Sequence, residues 1–545
     1  MKSCKEWEFQ ITKLGWERIF LHLDIETDCR EQVKFLMEKI EGTSKERIDI
    51  SPESFENGVY SFVLNITAVN GRNFLENGKW RIIAVVADSE HFTTLSHKIA
   101  YELDNKTRIF PYGAGKFAYS VYFGMYSLDE ENISLYLKSC FTKENKGWKK
   151  RQNIQDAVGI KGKLKQICRN VAVSCIRLFY YVLSRVLPKN GKRILFMSET
   201  KDYIWGNLQY IDSRMKERGL NASFELMYFF RNSVSHKGTI ISWFEKIYKI
   251  AISDYIFVDD YVPIFGYFKL FEKTKLIQVW HAGEGFKSVG YSRFGKEGSP
   301  FPTETSNKAY DYVTVGSEKL IHVYEEVFGI EKEAFLPFGM ARLDDFLDKD
   351  KIEKFRSDFY KNYPQFENKK IIIFAPTFRG ADQKEAYYDY GRLNLKELFD
   401  FCSDEYVFLF KVHPFVKEKI LIPEEYATRI FDFSDYKNIN DLYYVTDILI
   451  TDYSSNYYEY ALMKKPILFY TYDREKYELI RGVHRSVKEH APGKVCDTFQ
   501  ELMNALREQD YEYEKVEKFI NDNFATYDGN ACDRIIDYII LKKEY

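Results

Sequence analysis

Two hydrophobic periodicities divide the chain. Over roughly the first 145 residues apolar and polar positions alternate in short runs, the period-2 pattern of half-buried strands. Runs at 16–25 (WERIFLHLDI), 59–69, 80–86, 117–123 and 133–137 are rich in β-branched and aromatic residues. Turn formers such as Glu76-Asn77-Gly78 separate them. The pattern predicts an antiparallel β-sandwich over 1–145, and without a catalytic grouping it reads as an accessory or binding module.

From residue 193 the runs become continuous and alternate with helical stretches, the mark of strands buried on both faces. One series of predicted strands covers 193–197, 224–229, 255–258, 276–280 and 312–315, with clear helices over 207–218 and 318–327. A second covers 370–375, 406–412, 429–433, 447–451 and 466–470. Two such series imply two Rossmann-like α/β domains, 193–345 and 346–545, facing each other across a cleft. Ligands of parallel sheets bind beyond the carboxyl ends of the strands, so the residues just after each strand carry the information.

Between the two regimes lies 146–192. At 100° per residue Leu164, Cys168, Val171, Cys175, Phe179, Val182 and Val186 share one side of a helix, with Lys163, Lys165, Arg169, Arg177 and Arg185 on the other. From Lys146 to Arg193 there are 13 basic residues and one acid, Asp156, a net +12 in a chain whose total charge is −2. A basic face opposite an apolar one is the pattern of a helix lying in an anionic membrane surface; a linker helix packed on a neighbouring domain is the plainer alternative. The near-zero total charge gives no field to recruit nucleic acid, and none is expected as a partner.

The rest of the composition narrows the chemistry. Eight cysteines and nine histidines are scattered, with no CxxC pair and no zinc-ligand spacing, so no metal is expected and a reducing, cytoplasmic compartment fits. The start of the sequence has no apolar leader, and no stretch of about 18 apolar residues offers a membrane-crossing helix.

Four predicted strands end on chemistry. Strand 276–280 runs into His281, followed by Gly283 and Gly285. Strand 370–375 ends in Ala-Pro-Thr-Phe-Arg, with Thr377 and Arg379. Strand 406–412 presents Lys411 and His413-Pro414. Strand 447–451 ends in Thr-Asp-Tyr-Ser-Ser, where Ser454 and Ser455 open a helix. Cations and free N–H groups at a helix start describe a diphosphate pocket, and a strand-end histidine suits proton transfer. Taken singly, each has a plain reading as a structural histidine, a helix cap, or Arg379 paired with Asp382. Asp259-Asp260 follows strand 255–258 but lies in the other half from the diphosphate pocket and is set aside as a metal pair.

In order along 193–545, the motifs are Trp280-His281, Phe338-Gly339-Met340-Ala341-Arg342-Leu343-Asp344, Ala375-Pro376-Thr377-Phe378-Arg379, His413-Pro414, Thr451-Asp452-Tyr453-Ser454-Ser455, Glu459-Tyr460-Ala461-Leu462, Pro466-Ile467-Leu468-Phe469-Tyr470 and Arg481-Gly482. This ordered set resembles the CDP-glycerol glycerophosphotransferases, the teichoic acid polymerases and primases. The resemblance implies a GT-B arrangement, with an active site between two Rossmann-like domains. It also implies transfer of a polyol phosphate from CDP-glycerol or CDP-ribitol to a hydroxyl of a lipid-linked polymer at the cytoplasmic face of the membrane. CMP is released and no cofactor is required.

Carried over position by position, His281 matches the general base and His413 the second essential histidine. Thr377, Arg379, Lys411, Asp452, Ser454, Ser455 and Glu459 fall on the donor side, with Glu459 at the ribose. Gly283, Lys287 and Arg342 fall on the acceptor side. The usual His-Gly-Thr-Pro-Leu-Lys is here His281-Ala282-Gly283-Glu284-Gly285-Phe286-Lys287, a variant that resembles ribitol-type relatives. A nucleotide-sugar glycosyltransferase of the same architecture and a non-catalytic polymer-binding protein are the competing readings.

Overall fold

The structure is a computed structural model that describes residues 7–40, 46–113, 115–129, 132–142, 159–231, 239–281, 289–296, 299–303, 305–380, 385–481, 485–524 and 527–544. Alternating burial drives the first 142 residues into two sheets. One orders Ser54–Glu56, Val59–Asn65, Phe20–Thr27, Phe9–Glu17 and Thr94–Leu95; the other orders Arg108–Tyr112, Phe117–Ser127, Ile133–Thr142, Gly78–Val86, Val33–Lys39 and Arg47–Ile50, with Ser89–Phe92 beside Gly78–Val86. Their inner faces share one core that includes Phe9, Leu23, Phe62, Trp80 and Tyr119. The run expected as a single strand over 16–25 is instead a hairpin. Glu17 pairs with Phe20, and Arg18 makes the turn at φ 52 without a glycine or asparagine to announce it.

The sandwich docks on the first α/β domain. Tyr291 and Phe294 of that domain enter the sandwich core. Lys308 Nζ donates to the carbonyls of Thr67 and Arg72 and lies over the rings of Phe74 and Tyr291. Burial pushes the Lys308 ammonium down to about 7.

Helix Gly159–Val186 follows. Tyr180 is fully buried, stacking on Phe268 at 4.1 Å, and Ile176, Phe179 and Leu183 pack beside it against the first α/β core. This corrects two expected orientations. Phe179 meets Phe244 edge-on at 5.0 Å, and Arg177 donates Nε to the Tyr267 carbonyl, because the flank carrying them lies against the domain. Arg185 is exposed; the side chains of Lys163, Lys165 and Arg169 lie outside the described residues.

Both α/β sheets are wholly parallel. The first orders Glu225–Phe230, Arg193–Ser198, Tyr255–Val258, Lys275–Gln278, Tyr312–Thr314 and Phe335–Leu336. The second orders Ile430–Asp432, Tyr406–Phe410, Lys370–Phe374, Ile448–Thr451, Ile467–Tyr470 and Lys494–Cys496. In chain order the second reads 3-2-1-4-5-6, the Rossmann order, and the first reads 2-1-3-4-5-6. Each reverses once, between Lys370–Phe374 and Ile448–Thr451 in the second sheet and between Arg193–Ser198 and Tyr255–Val258 in the first. A crevice opens at such a reversal.

The chain crosses between the domains twice. The Gly339 to Asp344 motif is the first crossing. The second brings 531–540 back, where Cys532, Ile535, Ile536 and Ile539 share a core with Ile194, Phe196 and Ile277. Asp344 accepts from the Ala531 and Cys532 N–H groups at 3.1 and 2.9 Å and so caps the returning helix, and Arg214 holds Asp533. The last helix therefore belongs to the core of the first domain rather than to a unit spanning 346–545.

Candidate active site

At the first mouth, His281 leaves strand Lys275–Gln278 two residues after Val279. Trp280 adopts φ 44, a conformation that costs a bulky residue energy and turns the His281 ring off the sheet beside its own, 4.7 Å away. His281 Nδ1 lies 3.0 Å from the Asp259 carbonyl. A carbonyl only accepts, so Nδ1 carries the hydrogen and Nε2 holds the lone pair. The ring is half-exposed.

At the second mouth the geometry is reversed. The Phe415 N–H donates to His413 Nδ1 at 3.1 Å. An N–H only donates, so Nδ1 holds the lone pair and the neutral ring carries its hydrogen on Nε2. Phe378 and Phe415 flank the ring at 4.9 and 4.6 Å.

Arg342 joins the two mouths. Its Nη1 donates to the His281 carbonyl at 2.7 Å, its Nη2 pairs with Glu459 Oε1, and Asn207 Oδ1 accepts from its backbone N–H. Asn207 in turn donates to the carbonyls of Val279 and Trp280. Arg342, expected on the acceptor side, thus sits at the junction of both sides. Gly283 and Lys287 lie outside the described residues.

The cations expected at the donor phosphates are otherwise engaged. Arg379 gives Nε and Nη2 to Asp473 at 2.7 and 2.9 Å, and Nη1 to Asp452 and the Thr377 carbonyl, both at 2.8 Å. Tyr388, Tyr453, Tyr472 and Tyr477 surround its guanidinium. Burial opposes the charge, and the two carboxylates more than offset it, holding the arginine above its ordinary value. Asp452 is fully buried and also accepts from the Thr377 and Tyr453 N–H groups. Arg379, Asp452 and Thr377 therefore brace the two loops at the reversal of the second sheet. Lys411 is buried, its Nζ on the Ser434 carbonyl at 2.9 Å, and burial lowers its pKa although Asp432 and Asp435 oppose this.

Ser454 and Ser455 open the helix Asn456–Ala461, where Ser455 is the N-cap yet its hydroxyl makes no capping bond. Asn456 pins that helix start by donating to the Ala375 carbonyl at 3.0 Å. Asp473 was not among the expected residues. Its signal is the one that found the others, an acid just beyond a buried strand, here Ile467–Tyr470.

A cavity of about 940 Å³ lies elsewhere, at the amino ends of strands Lys275–Gln278 and Tyr312–Thr314. Arg72 pairs there with Glu331, Lys275 with Asp311 and Arg177 with a carbonyl, and its lining includes no residue of either mouth. Among the described residues no group of three or more His, Cys, Asp or Glu side chains is placed to hold a metal ion.

The family model described as CDP-Glycerol:Poly(glycerophosphate) glycerophosphotransferase matches residues 179–541, about two thirds of the chain. The chain belongs to this family. It is similar to the teichoic acid poly(ribitol-phosphate) polymerase of Bacillus spizizenii, 36% identical over 366 residues, 67% of this chain and 59% of that one. It is also similar to the teichoic acid ribitol-phosphate polymerase TarL of Staphylococcus aureus, 36% identical over 349 residues, 64% of this chain and 62% of that one. The chain thus spans less than two thirds of the length of these relatives. Among solved structures, the wall teichoic acid polymerase TagF superposes with a TM-score of 0.54 at 21% identity, over 69% of this chain and 95% of that one, a likeness of fold.

Proposed function

We propose that the protein transfers a polyol phosphate from a CDP-polyol to a hydroxyl of a lipid-linked teichoic acid or related polymer, releasing CMP. The observation that carries this reading is the opposed tautomers of the two strand-end histidines. A transfer between hydroxyl and diphosphate needs a lone pair at the acceptor and a hydrogen-bond donor at the phosphate. His281 Nε2 takes the proton of the acceptor hydroxyl as its oxygen bonds to the polyol-side phosphorus. The bond from that phosphorus to the bridging oxygen breaks, and the electron pair leaves with CMP. His413 Nε2–H, the Ser454 and Ser455 hydroxyls and the N–H groups of 454–456 meet the charge on the diphosphate. Glu459 keeps Oε2 for the ribose while Oε1 holds Arg342. The three relatives at 36% identity are named ribitol-phosphate polymerases, which favours CDP-ribitol over CDP-glycerol. Incubation with CDP-ribitol, CDP-glycerol and UDP-sugars tests it: CMP release coupled to acceptor elongation is expected. UDP release would favour a glycosyltransferase, and no release from any donor a binding protein.

The acceptor is carried on lipid, and no helix among the described residues is long and apolar enough to cross a membrane. We infer that helix Gly159–Val186 holds the enzyme peripherally at the cytoplasmic face. What supports this is an exposed apolar stripe, Leu164, Val171, Leu178, Val182 and Val186, running the length of the helix away from its packed flank. The Phe179–Phe244 contact continues it onto Ile241, Phe244 and Tyr248, exposed on helix Ile240–Ile252. Each nearby cation adds on the order of 1 kcal/mol at an anionic surface. Replacing Lys163, Lys165, Arg169 and Arg185 by Gln should release the protein from anionic vesicles and leave transfer to a short soluble acceptor intact. Equal sedimentation of both forms would make the helix an interdomain strut.

A further inference from the structure

We propose that Asp260 is a positioning residue for His281, its carboxylate stabilising the imidazolium that forms when Nε2 takes a proton. The inference rests on the reading of His281 as the base.

Asp260 stands beyond strand Tyr255–Val258, at the point where the order of the first sheet reverses. That is the crevice position of an open parallel sheet. Its neighbour in the sheet is Lys275–Gln278, the strand that leads to His281, so the two strand ends face each other. The Asp260 carboxylate lies 3.9 Å from His281 Nδ1, which at the same time reaches the Asp259 carbonyl at 3.0 Å. The carbonyl sets which nitrogen carries the hydrogen; the carboxylate adds a charge on the side away from Nε2.

The arrangement is clamped on both sides. Gln278, fully buried, donates Nε2 to the Asp260 carbonyl at 3.1 Å and accepts the Trp280 N–H on Oε1 at 2.9 Å, so one side chain locks the aspartate turn against the histidine turn. The Tyr261 N–H donates to Asp260 Oδ1 at 2.6 Å, fixing the carboxylate and leaving Oδ2 toward the ring. Asp259 cannot take this role. Its carboxyl points into the domain, buried, with Oδ1 unpartnered among the described residues, and burial raises its pKa.

The charged groups facing His281 among the described residues are few. Asp259 and Asp260 come from the loop after Tyr255–Val258. Arg342 comes from the interdomain crossing, with Glu459 of helix Asn456–Ala461 behind it. Arg342 opposes protonation of the ring, but Glu459 largely neutralises it. Asp260 presents its carboxylate to Nδ1, and the buried Asp259 carboxyl on the same loop also attracts the ring's charge. As the reaction proceeds the hydroxyl proton moves to Nε2 while Nδ1 keeps its own.

The test reads the ring directly. In protein labelled at the histidine rings, the His281 titration should move to lower pH in Asp260→Asn and stay near that of the wild type in Asp260→Glu. In transfer assays Asp260→Asn should lower kcat about tenfold or more, move the acid limb of kcat/KM to lower pH and leave the donor KM unchanged. A His281 titration that does not move in Asp260→Asn overturns the proposal, whatever the activity. Because the titration needs no turnover, failure of the wild type to release CMP would overturn the transferase reading alone.

Discussion

At the mouth of the first sheet His281 gives its Nδ1–H to a carbonyl, while at the mouth of the second His413 receives an N–H on Nδ1. Both rings stand just past the carboxyl end of a buried parallel strand, with a buried valine two residues before His281 (Val279) and one before His413 (Val412). The backbone alone makes them chemical opposites. Two cations, one in each domain, are also held in opposite ways. Arg379 of the second has two carboxylates; Lys308 of the first has two carbonyls and two rings. A shared architecture thus fixes where a side chain stands, and the loop around it decides what the side chain does.

Breaking the first half of the comparison should give the largest effect. His281→Ala is expected to lose at least about 10²–10⁴-fold in transfer while CDP-polyol still binds, because the base acts on the acceptor. His281→Gln should be as inactive, since an amide supplies no basic nitrogen. Near wild-type turnover in either variant removes His281 from the reaction.

Arg379 comes next. Arg379→Met leaves Asp452 and Asp473 buried without their cation, and breaking a buried pair costs about 3–5 kcal/mol. Chemical denaturation should show that loss with no donor present, and adding Asp473→Asn should restore part of it. Unchanged stability with weakened donor binding would return Arg379 to the phosphate.

Much of this division was legible in the sequence. Strands buried on both faces are continuous apolar runs, so strand 255–258 emerged with its final bounds and the strand-end residues followed. The partners of those residues did not. Arg379 binds carboxylates 73 and 94 positions away, a pairing that depends on which strands become neighbours. From the sequence Asp260 is weighed only as half of a metal pair and set aside for lying in the other half from the diphosphate pocket; strand order, not spacing, sets it beside His281. The turn at Arg18 and the return of 531–540 to the first domain escaped for related reasons. One is a hairpin written in non-turn residues, the other a long-range docking.

A smaller effect separates the two tautomers. Removing a hydrogen bond to a charged group costs about 1.5–3 kcal/mol, so His413→Ala should weaken CDP-polyol binding roughly 10- to 100-fold, and Ser455→Ala by less. Gln places its amide N–H near the position of Nε2, so His413→Gln should recover donor affinity that His413→Ala loses. The opposite order in a calorimetric titration, or no change in either variant, would take His413 off the diphosphate.

The smallest effect belongs to the buried cations. Burial holds the Lys308 ammonium down at about 7 in the fold, whereas the unfolded chain keeps the ordinary value of 10.5. Between those values the unfolded state binds the extra proton, so the contribution of Lys308 to stability is full above 10.5 and falls as the pH drops toward 7. The slope is about 1.4 kcal/mol per pH unit. Glu325 lies nearby on the same interface, but burial raises its carboxyl to about 7, and its window runs below that of Lys308. Buried tyrosines titrate from about 10 upward in any variant and cancel in a difference. The stability of wild type minus that of Lys308→Met should therefore climb from pH 7.5 to 9.5 in denaturant unfolding. Arg379 itself contributes no such slope, because a guanidinium keeps its proton throughout that range. A flat Lys308 difference would mean the ammonium stays charged under the sandwich, and the two buried cations would then differ in their partners but not in their charge.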